Sequence, residues 1–457
     1  MRRLLLLLLL VPLTAGAAVP APVDALIRRL MAEGDVPGLS IAVIHRGRIA
    51  AHHAYGFANA ETGAPLTDRT IFESASLGKP VFAYAVLKLV DAGVLDLDVP
   101  LQRYLPEPVA DERMNLITAR MVLTHTTGFQ NEVMPGQTLA VHFTPGSRFS
   151  YSGAGFLYLE RVVEHVTRKE LAPLMRELVF DPLGMRDSGY VWIDDYETRK
   201  AYGHTAAGMV APRRKPSKGT MATLHTTPLD YARFTIALGK SAAMLTTQTP
   251  VDAGCYNCLT KTTGTMSATL SWGLGVALER TSHGTSFWHW GENNGEFQNF
   301  VMSYPGGDGV VIFTNSGNGF SIMPEIVTAV LGGEHPAFAW MGYEHYDSPA
   351  KRFLRDVRAR GAEAALRASV AATLSEPQIN RIGYVLLQRG SVADAIRMFE
   401  HNVERFPKSA NVYDSLAEAY VAAGESAKAI ANYQRSLDLD PANGNAAEWL
   451  RKLRAGR

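Results

Sequence analysis

The 457-residue chain predicts an α/β domain, an antiparallel sheet flanked by helices with an all-helical subdomain inserted, followed by a small all-α repeat domain. Three observations predict it. Alternating apolar runs stand near both ends of the first 335 residues, so one sheet has to be closed by segments distant in sequence. Between them, from Val81 to about Phe234, the pattern is helix-rich. From Gly390 onward, small, aromatic and proline residues recur with a 34-residue period, the length of a stacking helix–turn–helix unit. The division that follows is 1–21, 22–335, 336–375 and 376–457, more than one hydrophobic core being expected at this length.

Met1-Arg2-Arg3 and the apolar run Leu4 to Leu13 are followed by Ala15-Gly16-Ala17, with Val19-Pro20-Ala21 as a second small-residue site. Residues 1–21 therefore read as a secretory signal peptide, too short for a stable bilayer span. A periplasmic or secreted protein with no integral membrane span after cleavage is expected. Without Arg2 and Arg3 the chain holds 43 basic against 44 acidic residues. No basic stripe accompanies that balance, which excludes nucleic acid as a partner.

Leu39 to His45 and Arg48 to Tyr55 alternate about an Arg46-Gly47-Arg48 turn, a hairpin signal. Next comes Ser76-Leu77-Gly78-Lys79, just ahead of an apolar helical run that includes Val81, Ala85, Leu87, Leu89 and Val90. A hydroxyl and an amine at i and i+3 share one helix face. A serine at a helix N-terminus sits among unpaired N–H groups that favour developing negative charge. A lysine with a pKa lowered by burial can take the serine proton. Pro80 is tolerated in the first turn. The pattern alone is weak, because Ser348-Pro349-Ala350-Lys351 repeats it in a connector.

Cys255 and Cys258 are the only cysteines. Outside the cytosol, a pair at this spacing is expected to form a local disulfide that pins a loop. A zinc site needs about four ligands and no second cluster accompanies the pair, so no metal and no cofactor are expected. Four late strands are expected at Trp272 to Leu278, Ser286 to Trp290, Phe297 to Tyr304 and Val310 to Thr314. In the tail, Gly390, Ala395, Phe399 and Pro407 recur as Gly424, Ala429, Tyr433 and Pro441, and Ala446 to Leu453 reads as a capping helix. Two repeats bury little alone, so they should pack on a preceding connector helix or on the first domain. Two readings stay open: a groove for a protein partner, or a brace or self-association contact.

Ser76-x-x-Lys79, then Tyr151-Ser152-Gly153, then His289-Trp290-Gly291, in that order, resembles the serine β-lactamase and penicillin-binding-protein superfamily, its class C-related hydrolase branch. Leu123-Thr124-His125-Thr126-Thr127-Gly128-Phe129 and Asp181-Pro182-Leu183-Gly184-Met185 are similar to two further segments of that branch. The resemblance implies an α/β-plus-α fold with the active site in the cleft between the two parts. It implies Ser76 as acyl acceptor and Lys79 with Tyr151 as a proton-sharing pair whose pKa values belong to both. His289, Gly291 and Glu292 would lie on a substrate-binding strand, Gly291 admitting substrate and the Glu292 N–H joining that of Ser76 as an oxyanion hole. His289, where relatives that bind carboxylates carry lysine, would donate a hydrogen bond with little charge. Gly153 departs from the usual asparagine, which implies a substrate lacking an acyl-side amide or another polar group in its place, with Glu292, Asn293 and Asn294 as candidates. Asn293 and Asn294 otherwise read as a solvated turn, Trp288 and Trp290 as packing on the strand's other face, and His125 as a brace for the loop ending at Gly128.

The expected function is a serine hydrolase acting on an ester or peptide-like amide of a small molecule or peptide. The alternatives are an acyl transferase (D-peptidase, transpeptidase or peptide cyclase) and a non-catalytic scaffold that presents the repeats.

Overall fold

The computed structural model describes residues 18–455 except 135 and 213–222. The signal-peptide reading falls, but for its last residues, outside them. Nine strands form one antiparallel sheet: β1 (Gly38–His45), β2 (Arg48–Asn59), β3 (Ala64–Pro65), β4 (Thr249–Asp252), β5 (Met266–Trp272), β6 (Ala277–Thr281), β7 (Gly284–Asn293), β8 (Phe297–Ser303) and β9 (Gly309–Thr314). Their order is β3-β2-β1-β9-β8-β7-β6-β5-β4. The sheet closes as the sequence pattern requires: β1 lies against β9, Leu39 opposite Thr314 and Val43 opposite Val310. The β1–β2 turn places Arg46 at φ 50° and Gly47 at φ 69°, the left-handed pair that lets a two-residue hairpin follow the strand twist.

β8 and β9 are buried at every position, as strands covered on both faces must be. One covering layer joins the helices Ala21–Glu33 and Met323–Leu331 to the sheet through Ile27, Leu30, Ile41, Phe300, Ile312 and Ile326. The other joins the helices Gly78–Asp91, Gly153–Thr167 and Pro228–Leu238 to it through Phe82, Phe156, Phe234, Ala42 and Phe313. No helix among the described residues is long and apolar enough to cross a membrane.

Two expectations are corrected. Trp272 to Leu278 is not one strand: Trp272 ends β5 and Ala277 starts β6. A Cβ on Gly273 would lie 2.0 Å from the Met244 carbonyl oxygen, and Gly275 has φ 83°, so the chain must turn there despite its apolar composition. Nor is 336–375 one connector helix. It holds the helices Pro336–Met341, Pro349–Arg360 and Ala362–Ala365 and a 3₁₀ turn. Gly342, left-handed at φ 73°, ends the first, and Pro349 starts the second at a position that needs no N–H.

Trp340 and Tyr346 pack in the sheet core, whereas Phe353, Leu354 and Val357 join the repeats and Ala207 of the first domain in a third core. The repeats are helix pairs Glu376–Gln388 with Val392–Arg405 and Ala410–Ala422 with Ser426–Leu439, followed by the helix Gly444–Ala455. The Arg389 guanidinium donates to the Ala207 carbonyl, so the repeats rest on both the connector and the first domain.

Candidate active site

Ser76 stands at the end of a heavily tied approach segment. Phe72–Glu73 pairs with His225–Thr226, the Ser74 hydroxyl donates to the Leu224 carbonyl at 2.8 Å, and Asn299 donates to the Glu73 carbonyl at 2.9 Å. Ala75 takes φ 53°, a left-handed conformation that costs a residue with a Cβ free energy. The helix Gly78–Asp91 then begins with Leu77 as its N-cap and no side-chain cap. The Ser76 hydroxyl is therefore spent on no backbone group, and Lys79 Nζ donates to it at 2.8 Å. Lys79 is 1 % exposed. Burial lowers its pKa from 10.5 to about 7, opposed by the carboxylate of Glu132.

Tyr151 is buried beside this pair, with Lys79 Nζ 5.1 Å from its ring centroid. Burial raises the phenol's pKa, with the nearby Ser76 hydroxyl pulling the other way. Among the described residues, the phenol oxygen makes no hydrogen bond of regular geometry. Of the two groups expected to share a proton, the amine is thus the one that loses it near neutrality, and the phenol keeps its own. The Tyr151 backbone N–H donates to the Tyr256 carbonyl at 2.8 Å. Tyr256 lies in the loop closed by the Cys255–Cys258 disulfide, and Arg148 grips that loop through the Cys258 and Leu259 carbonyls. The staple read from the sequence therefore ends on the backbone of Tyr151.

Gly153 opens the helix Gly153–Thr167, capped by Ser152, which accepts from the Gly155 N–H at 3.1 Å. Its own N–H donates to Asn131 Oδ1 at 2.9 Å, and the Ala154 N–H to the Asn131 carbonyl at 2.9 Å. Asn131 and Glu132 were not singled out by sequence. Their one signal is position, two and three residues after Phe129.

The β7 residues show why the strand matters. β6 pairs with β7 only as far as Trp288, opposite Ala277, so His289 to Asn293 is paired with β8 alone and has an open edge. Gly291 is required by the approach segment: a Cβ there would lie 2.1 Å from the Ser74 carbonyl oxygen.

His289 corrects another expectation. It is fully buried, and its Nδ1 stands 2.7 Å from the Trp290 carbonyl oxygen. A carbonyl only accepts, so Nδ1 carries the proton and Nε2 presents a lone pair. Burial and the Lys79 charge push its pKa down to about 3. His289 is a neutral acceptor at that nitrogen, not a donor to substrate. Glu292 accepts from the Tyr343 hydroxyl at 2.5 Å and from Gln298 at 3.1 Å. Asn293 is no solvated turn residue, since its amide donates to Glu73 at 3.0 Å. Trp288 and Trp290 are buried packing. Among the described residues, no group of three His, Cys, Asp or Glu could hold a metal ion.

The sequence matches the family model "Beta-lactamase" over residues 23–331, more than half of the chain, and a "Tetratricopeptide repeat" model over 369–442. It is 34 % identical to the esterase EstB of Burkholderia gladioli over 207 residues, 38 % of this chain and 53 % of that protein. It spans about half the length of that relative. It is 28 % identical to penicillin-binding protein 4 of Amycolatopsis lactamdurans over 344 residues, 66 % of this chain and 87 % of that protein. Among solved structures, the octameric penicillin-binding protein homologue from Pyrococcus abyssi superposes with TM-score 0.58 at 22 % identity, covering 74 % of this chain and 81 % of that one. A D-alanine carboxypeptidase, AmpC from Burkholderia cenocepacia, does so with TM-score 0.57 at 19 % identity, covering 68 % and 97 %. These structures share the fold. The chain belongs to the beta-lactamase family, with tetratricopeptide repeats following the domain that carries the match.

Proposed function

We propose that this protein is a secreted or periplasmic hydrolase that forms an acyl-enzyme on Ser76 and prefers esters to amides. The observation that carries the proposal is the 2.8 Å contact between Lys79 Nζ and Ser76 Oγ, made by an amine whose pKa is lowered to about 7. Once Lys79 is neutral, the contact reverses: Ser76 donates, and its proton passes to Nζ as Oγ attacks the substrate carbonyl. The carbonyl π electrons move to oxygen, where the backbone N–H groups of Ser76 and Glu292 are the proposed donors. Loss of one such donor costs on the order of 3–4 kcal/mol in known cases. Collapse of the tetrahedral intermediate expels the alkoxide, which takes a proton from Tyr151, and Tyr151 recovers one from Lys79. Water then repeats the sequence on the acyl-enzyme and frees Ser76.

Three features favour an ester without a nearby carboxylate. Gly153 provides no side chain for an acyl-side amide. His289 is buried and neutral, so it offers no positive charge to a carboxylate. The Glu132 carboxylate lies close enough to act on Lys79. The name of EstB, an esterase, agrees with this reading. We further propose the repeats as a docking region for a protein partner or a second copy of the chain.

The test compares kcat/KM on a short-chain p-nitrophenyl ester and on an acylated D-alanyl peptide for wild type and Gly153→Asn. Wild type should favour the ester. The asparagine should raise amide turnover by about two- to tenfold, the worth of a neutral hydrogen bond. Wild-type preference for the amide, with no gain from asparagine, would overturn the ester reading.

A further inference from the structure

His125 holds Tyr151 from three directions. Its carbonyl accepts from the Ser150 N–H at 2.8 Å, and its Nδ1 accepts from the Ser152 N–H at 3.0 Å, so the residues on both sides of Tyr151 are tied to one side chain and its backbone. Its ring lies against the Tyr151 ring, with centroids 4.2 Å apart and planes at 28°. The other walls are aromatic: Trp272 meets it edge-on at 5.1 Å and Phe149 at 5.8 Å. With φ at 54°, His125 adopts a backbone conformation disfavoured for a residue with a Cβ, and such strain persists only where surrounding contacts over-determine it.

The imidazole's protonation follows from those bonds. Nδ1 accepts, so Nε2 carries the hydrogen, and that Nε2 is buried with no hydrogen-bond partner among the described residues. Protonating Nδ1 would break the bond to Ser152. Burial and then the charge of Lys79, with a smaller effect from His289, oppose that protonation. Together with Tyr151, these are the titratable groups that face the ring.

We propose that His125 is a positioning residue that acts through Tyr151: as a neutral acceptor it fixes the phenol beside Lys79 and Ser76, so that proton transfer needs no rearrangement. The proposal rests on the acyl-enzyme reading above. It assigns a task to a side chain that the sequence presents only as a loop brace. A small misplacement of a reacting group costs rate rather than affinity, on the order of a hundredfold for about 1 Å.

The experiment compares two substitutions on the full chain. His125→Phe keeps the aromatic area and removes the acceptor. His125→Asn places an amide oxygen near the Nδ1 position and keeps it. On a p-nitrophenyl ester, His125→Phe should lower kcat on the order of a hundredfold with KM within about threefold of wild type. His125→Asn should stay within about tenfold of wild type. In a Tyr151→Phe background, His125→Phe should cost almost nothing more, because residues acting as one unit are non-additive. Wild-type kcat in His125→Phe would overturn the proposal, and so would a full further loss in the Tyr151→Phe background. So would equal losses in both single variants that track lowered melting temperatures. Fluorophosphonate labelling of the same wild-type sample separates the two claims: absence of label on Ser76 defeats the acyl-enzyme reading, whereas labelled Ser76 with an unaffected His125→Phe defeats only this inference.

Discussion

Ser76-Leu77-Gly78-Lys79 and Ser348-Pro349-Ala350-Lys351 are the same pattern at the same spacing, and the protein uses them in opposite ways. Ser348 caps the helix Pro349–Arg360: its hydroxyl accepts from the Lys351 N–H at 3.1 Å and donates to Glu344 at 3.0 Å. Lys351 turns away and donates to Asn318 at 2.7 Å. At the other site the N-cap falls one residue later, at Leu77, so the Ser76 hydroxyl caps no backbone group and meets the Lys79 amine instead. Burial lowers both lysine pKa values; the carboxylates of Glu344 and Asp35 oppose it at Lys351, and that of Glu132 opposes it at Lys79. A one-residue shift in the cap, together with the charges nearby, separates the proposed nucleophile from a structural serine.

The largest expected effect breaks the pair apart. Ser76→Ala should reduce ester turnover by on the order of 10⁴–10⁶ with the fold intact by circular dichroism, and Ser348→Ala should leave kcat unchanged. Lys79→Met and Tyr151→Phe should each cost several orders of magnitude, with the double variant little slower than either, whereas Lys351→Met should not slow the reaction. Steady-state rates on one ester measure all of these. Additive losses at Lys79 and Tyr151 would contradict a shared proton path.

Acidity sharpens the same contrast. In the proposed mechanism Lys79 must be neutral to act, so kcat/KM for an uncharged ester should rise with pH through about 7 and then level off. Its folded pKa lies below its unfolded value of 10.5. Between about 7 and 10.5 the unfolded chain therefore binds more protons, and stability should rise with pH across that window. Lys79→Met should flatten that rise in chemical denaturation, and an unchanged slope would mean that the amine is not depressed.

A smaller effect follows from the Tyr256 carbonyl. Opening the Cys255–Cys258 bridge, by reductant or by Cys255→Ser with Cys258→Ser, frees the loop that accepts from the Tyr151 N–H. Turnover should fall about two- to tenfold, the worth of one hydrogen bond. The smallest change belongs to Ser348→Ala, which should lower stability by about 0.5–2 kcal/mol through the lost cap, with no change in rate.

What could be read without coordinates was what depends on order and local spacing. Ser76 and Lys79 share a face by helical geometry. The strands β1 and β9, neighbours in the sheet, show as apolar runs far apart in sequence. The 34-residue repeat is visible as identity at fixed offsets. What escaped depends on contacts made across the fold. Nothing in the sequence shows that the Ser74 carbonyl lies against Gly291 and demands a glycine there. His289 looks like a donor until the Trp290 carbonyl claims its proton. Asn131 shows nothing in its neighbours to suggest that its amide meets the N–H of Gly153. Trp272 to Leu278 is apolar throughout, and only the close approach of Met244 at Gly273 explains why it turns rather than continues.

The most direct measurement is to react the protein with a fluorophosphonate probe, map the adduct by peptide mass spectrometry, and repeat with Ser76→Ala and Ser348→Ala. The account predicts one adduct, on Ser76, absent from Ser76→Ala and undiminished in Ser348→Ala. An adduct that persists in Ser76→Ala, or that maps to any other serine, would contradict it.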